Sequence, residues 1–157
     1  FKERFKLPLS LDEIKAIWVQ MSIDKYRYEV PLKPGVPEFL KYCRENGIRT
    51  GIGTSNGSEI VDAVLTSLNV KEYFDVVVTA CEVAHGKPEP DIYLEVAKRL
   101  GVKPEECLVF EDIPAGIMAG KAAGMPVIAV EDDFSKDLMD EKRALADAVI
   151  ADYRELL

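Results

Sequence analysis

No run of apolar residues in this chain approaches the roughly 20 needed to span a bilayer as a helix, so a membrane-spanning segment is not expected. The first residues, Phe1-Lys2-Glu3-Arg4-Phe5, carry too much charge for the core of a signal peptide. Cysteine is scarce. Cys43, Cys81 and Cys107 are odd in number, far apart and in no paired spacing, which excludes a disulfide framework and a zinc site and makes a reducing cytoplasm the expected location. Basic charge is in deficit, with 20 Lys and Arg against 28 Asp and Glu and no basic cluster, so a nucleic-acid partner is not expected. A small anion would need a site built for it locally. A glycine-rich dinucleotide fingerprint is missing as well: Gly51, Gly53 and Gly57 are wrongly spaced, and Thr54 to Asn56 is polar where glycine must approach closely. Internal repeats and low-complexity tracts are absent.

What is present is enough apolar sequence, 48% of 157 residues, to bury one sizeable core. Ser10 and Glu13 form a capping-box pattern, after which Leu11, Ile14, Trp18, Met21 and Tyr28 recur at helical spacing, predicting an amphipathic helix with one face to bury. Pro31, Pro34 and Pro37 around Gly35 interrupt this pattern, so residues 1–30 read as an appendage and 31–157 as the main domain. The spacing then predicts helices over 37–46, 58–68, 92–100 and 115–123, alternating with strands over 48–54, 75–79, 107–111 and 126–130. Short apolar strands alternating with helices indicate a doubly wound, Rossmann-like α/β domain: a parallel sheet with helices on both faces. The acidic stretch 131–140 reads as a solvated loop.

Ligands of open parallel sheets bind beyond the carboxyl ends of the strands. Three such ends are polar. Gly53-Thr54-Ser55-Asn56-Gly57 offers a hydroxyl, turn amides and a helix start to an oxyanion, although Ser55, Asn56 and Ser58 are equally favoured as turn and cap residues. Gly86-Lys87-Pro88-Glu89-Pro90-Asp91 holds Lys87 in a constrained loop, as a charge for a phosphoryl group or as a solvated lysine; His85 beside it reads as a surface residue. Glu111-Asp112-Ile113-Pro114-Ala115-Gly116 places two carboxylates where the chain leaves a strand, suited to magnesium, or with Asp112 capping the next helix.

Taken in order, a hydroxyl, a lysine and an acidic pair resemble the second, third and fourth motifs of the haloacid dehalogenase superfamily of phosphohydrolases. Gly86 to Asp91, Val109-Phe110-Glu111-Asp112 with Ala115-Gly116, and Ala122-Ala123-Gly124-Met125 are similar to its β-phosphoglucomutase-like branch. Lys33-Pro34-Gly35-Val36 is similar to the segment where that branch's chain re-enters the core from a helical cap. The resemblance implies that an aspartate attacks phosphorus, that a second aspartate two residues on serves as acid and base, and that magnesium neutralises the charge between them. Thr54, Ser55, Asn56 and Lys87 would then hold the phosphoryl oxygens, Thr54 and Lys87 would take part in catalysis, and Glu111 and Asp112 would anchor the metal. The expected substrate is a small phosphorylated metabolite, most plausibly a sugar phosphate, and the expected state a monomer.

The family's first motif, two aspartates spaced by one residue after an apolar run, has no match in the chain. Its strand is expected to lie centrally, between the strands at 48–54 and 107–111. Without it the sheet would be split by a gap of roughly 4.8 Å on each side. The start at Phe1 rather than Met accordingly carries the expectation that an N-terminal segment holding this strand precedes the chain, leaving the last part of the cap in residues 1–30. A phosphate- and metal-binding regulatory domain without a nucleophile is the alternative reading.

Overall fold

The computed structural model describes residues 2–157. It contains six α-helices, α1 (Leu11–Tyr28), α2 (Val36–Glu45), α3 (Ser58–Ser67), α4 (Asp91–Leu100), α5 (Pro114–Ala122) and α6 (Met139–Leu145). The strands are β1 (Gly51–Thr54), β2 (Val76–Thr79), β3 (Val109–Glu111), β4 (Val127–Val130) and β5 (Ala148–Ile150). The chain divides into two compact units, one formed by the segment ending at Pro31 with Ser58–Lys71, the other by Leu32–Gly57 with Glu72–Leu157.

In the first unit the expected capping box is formed: Ser10 Oγ accepts from Glu13 N at 3.2 Å, and Glu13 accepts from Ser10 N at 2.8 Å. The predicted burial of one face is not observed, since Leu11, Trp18, Met21 and Tyr28 are all exposed. Their spacing makes a stripe, but among the described residues that stripe stays exposed to water. The structure groups α3, which the linker reading assigns to the main domain, with α1, against which it packs.

The second unit is the α/β domain. All strand pairs are parallel, β1 with β2, and β3 with β4 with β5. The strands are short, β1 glycine-rich and β2, β4 and β5 mostly β-branched, and helical segments follow each of them in the chain, which favours parallel pairing through crossovers. Alternation along β3 supplies two cores. Val109 points to one face and packs with Val78, Ile92, Ala97, Ile117, Ala119 and Val127, where α4 covers β1 and β2 and α5 covers β3 and β4. Phe110 points to the other, meeting Phe39 of α2 and Tyr153 at ring-centroid distances of 5.4 and 5.1 Å. At Gly35 the chain turns into α2 with φ of +77°, and a side chain there would run into Asp152 and Arg154.

The expected solvated loop at 131–140 is instead ordered. Asp132 caps a 3₁₀ helix over Asp133–Leu138, Ser135 is buried, and α6 and β5 follow, neither of which the sequence pattern predicts. A three-residue strand after an acidic stretch has too little periodicity to be recognised.

Among the described residues β1 and β3 are not hydrogen-bonded to each other, so the sheet is in two parts. Between them lies a cleft of about 810 Å³, lined by Gly51, Ile52 and Gly53 on one wall and Val109, Phe110 and Glu111 on the other. Among the described residues no helix is long and apolar enough to cross a membrane.

Candidate active site

One side chain bridges the carboxyl ends of the two sheet parts. Lys87, in the loop that leads into α4, donates from Nζ to the Gly53 carbonyl at 2.9 Å and to the Glu111 carboxylate at 2.5 Å. The Lys87–Pro88 peptide bond is cis. Only 12% of the Lys87 side chain is exposed, so the ammonium needs these acceptors to offset its lost hydration. Two of its three N–H groups are thus used.

Glu111 ends β3 and is buried beside the lysine. Its carboxylate also accepts a hydrogen bond from the Tyr93 hydroxyl, while the Lys87 ammonium lies 5.0 Å from the Tyr93 ring centroid. Burial, and then the negative charge of Glu111, push the Tyr93 phenol well above its ordinary range, which keeps it a donor. A Cβ at Gly116, in the first turn of α5, would collide with the Glu111 carboxylate. The spacing Glu111 to Gly116 is therefore steric: the helix backbone must pass where any side chain would displace the acid.

Asp112, one residue on, faces away and outward, with 41% of its side chain exposed. It does not cap α5, because Ile113 occupies the N-cap position and Pro114 follows at the first helical residue. The Asp112 carbonyl accepts from Ser135 Oγ at 2.7 Å, and its carboxylate lies 3.5 Å from Lys33 Nζ. Ser135 Oγ is in turn held by the fully buried Lys142, at 3.0 Å, whose ammonium also bonds the Val130 carbonyl at 3.1 Å.

Thr54 ends β1, next to the carbonyl that Lys87 grips. Its Oγ1 accepts from Asn56 N at 3.1 Å, a local turn that leaves the hydroxyl proton to donate. Ser55 is exposed and Asn56 half-buried in the same turn. His85 is 69% exposed and pairs with Asp91 at 3.0 Å, as expected of a surface histidine; that hydrogen bond lowers the Asp91 carboxyl from its ordinary value.

Lys87 and Glu111 are therefore in direct contact, and Thr54 and Asp112 adjoin that contact through Gly53 and Glu111. Tyr93, Lys33, Ser135 and Lys142 went unrecognised as site residues in the sequence. Lys33 is visible there only as a member of Lys33-Pro34-Gly35-Val36, and Tyr93 only as the second residue after Asp91.

Magnesium keeps several waters and binds through one or two carboxylates. Among the described residues no three of His, Cys, Asp and Glu converge into a cage, which leaves the sparse mode. The outward carboxylate of Asp112 fits it. Glu111, already bonded to Lys87 and Tyr93, fits an orienting role rather than that of a free ligand.

A family model described as haloacid dehalogenase-like hydrolase matches residues 6–124. Hexitol phosphatase B of Escherichia coli K12 is 34% identical over 126 residues, covering 80% of this chain and 56% of the relative. Fructose-1-phosphate phosphatase YqaB of the same organism is 48% identical over 79 residues, covering 50% of this chain and 42% of the relative. The chain thus spans about half the length of these relatives. A structure of CbbY from Rhodobacter sphaeroides in complex with xylulose-(1,5)bisphosphate superposes with a TM-score of 0.85 at 28% identity, over 96% of this chain and 67% of that one. The polar strand ends, the fold and the family match agree: the chain belongs to the haloacid dehalogenase-like hydrolases.

Proposed function

We propose that the chain forms the core of a magnesium-dependent phosphatase or phosphomutase that acts on a small phosphorylated metabolite through an aspartyl-phosphate intermediate. The observation that carries this reading is the buried Lys87 ammonium, held across the carboxyl ends of β1 and β3 with one N–H beyond its two acceptors. That N–H, the Thr54 hydroxyl and the backbone around Ser55 bind phosphoryl oxygens, with Asn56 beside them in the same turn. Glu111 and Tyr93 orient Lys87, and Asp112 holds the metal. Magnesium, when bound, neutralises charge on the phosphoryl group and the carboxylates around it. Positioning and electrostatics supply most of the rate in such a transfer.

The nucleophile belongs, in this reading, on a parallel strand seated in the cleft between β1 and β3. Backbone groups along an open strand edge require partners, and a strand set there would end beside Lys87. Its aspartate forms a bond to phosphorus as the ester oxygen leaves with a proton from the second aspartate. Water or a sugar hydroxyl then gives its proton to that second aspartate, takes the phosphoryl group and frees the nucleophile's carboxylate. A sugar phosphate is the substrate class supported by the relatives' names.

The test is release of phosphate from p-nitrophenyl phosphate and from hexose and hexitol phosphates, with and without magnesium. It is run on this chain and on the product of the complete reading frame that encodes it. Magnesium-dependent turnover by the latter and none by the former is expected. Absence of turnover from both would sink the enzyme reading in favour of a domain that binds phosphate and metal without chemistry.

A further inference from the structure

The Lys33 ammonium lies between two carboxylates. It pairs closely with Asp132, the cap of the 3₁₀ helix after β4, and stands 3.5 Å from Asp112. About a quarter of each of the Lys33 and Asp132 side chains is exposed, 28% and 22%, so the pair is screened less than a surface pair and more than a core one. Asp112 is placed at this spot independently of Lys33. Its carbonyl is tied to Ser135, and Ser135 to the buried Lys142. Lys33 is therefore not needed to hold the Asp112 backbone, and its effect on that residue is one of charge.

A divalent cation on Asp112 would meet this ammonium at close range. Like charges a few ångströms apart repel, and the repulsion falls as the ammonium is drawn away. Asp132 draws it away. The Lys33 hydrogen bond is also the main reason the Asp132 carboxyl sits below its ordinary value, so Asp132 remains charged across the neutral range.

We propose that Lys33 is a resident counter-cation of the Asp112 carboxylate, and that its sharing between Asp112 and Asp132 sets how tightly Asp112 takes a divalent metal. The inference rests on the reading of Asp112 as the metal ligand. Lys33 is on this account a tuning residue: it touches neither phosphate nor metal, and it keeps Asp112 paired when metal is absent. Asp132 is its opposite, holding the competitor aside.

The two residues predict effects of opposite sign. In the product of the complete reading frame, Mn²⁺ affinity is measured by the loss of its free-ion electron paramagnetic resonance signal, and Mg²⁺ affinity by competition. Lys33→Met should tighten Mn²⁺ binding by about tenfold at low ionic strength, the scale of one nearby charge. The gain should shrink at high salt. Asp132→Asn should weaken binding by a similar factor, because Lys33 then turns wholly to Asp112. Lys33→Arg should restore the wild-type value, and the remote Lys41→Met should leave it unchanged.

A purely structural Lys33–Asp132 pair would weaken binding in both variants alike, and that result overturns the inference, as does equal tightening by Lys41→Met. Unchanged affinity in Lys33→Met, with binding still abolished by Asp112→Asn, overturns the Lys33 inference alone. Binding that survives Asp112→Asn, or is undetectable in every protein, overturns the metal-site reading and this inference with it.

Discussion

Tyr93, Lys87 and Glu111 form a unit in which each group's state depends on the others. The carboxylate is stable in its buried position because an ammonium and a phenol both donate to it, and the ammonium is stable for the same reason. Removing one member leaves a buried polar group without its partner, so Tyr93→Phe should cost about 1.5–3 kcal/mol, the range for a hydrogen bond to a charged group. Urea unfolding measures this directly. A second consequence concerns pH. Burial is the first cause that raises both Tyr93 and Tyr153 above the ordinary phenol value of 10.0, with the nearby carboxylates adding to it. The folded state thus holds these protons more tightly than the unfolded state does. Their contribution to stability is complete below about pH 10 and is lost as pH rises beyond it. In an absorbance titration at 295 nm, these two phenols should ionise only together with unfolding. A smooth titration of all six tyrosines near pH 10 would show that the two are not shielded.

At the scale of elements, Asp147 shows how the second half of the sheet is joined. It opens the turn into β5, accepts from Lys121 at the end of α5 at 2.6 Å, and accepts from Val127 N at the start of β4 at 2.8 Å. Those bonds, the Lys121 pair first, lower its carboxyl below the ordinary 3.8. A depressed carboxyl contributes stability that is present above its unfolded value and lost as pH falls through the folded one. Wild type should therefore exceed Asp147→Asn in melting temperature at neutral pH, and the difference should shrink as the pH falls below the ordinary carboxyl value of 3.8. A difference independent of pH would assign the effect to packing instead. The elements themselves were unequally legible. Strand and helix order from α4 to β4 follows from period and from Gly101 and Gly124 as stops, both at positive φ. In contrast, the buried Ser135, held by the buried Lys142 beyond it, turns a stretch that reads as solvated charge into a structural support for Asp112. Nothing local to a lysine announces that it will be buried.

For the whole molecule, the division of the sheet is the dominant feature. β4, paired on both sides, has every residue buried, whereas β1 has none in that class, although both continue the same parallel pattern. Strands whose edges face the cleft should open more readily than the paired centre. Amides of β1 and β3 should accordingly exchange with deuterium faster in this chain than those of β4, as read by mass spectrometry or nuclear magnetic resonance. Protection as strong in β1 as in β4 would contradict an open cleft.

The class of fold and the kinds of group at the strand ends are legible in the amino-acid sequence, because both are local properties. Apolar period, stop signals and a hydroxyl, lysine or carboxylate just after a strand are all written within a few residues. The tertiary structure decided what those groups do to one another. It turned Glu111 inward to Lys87 and Tyr93 and Asp112 outward, placed Lys33 between two acids, one of them 99 residues away, and left β1 and β3 apart. Such pairings depend on which side chains packing removes from water and on which backbone edges meet, and neither is encoded in the neighbourhood of any one residue.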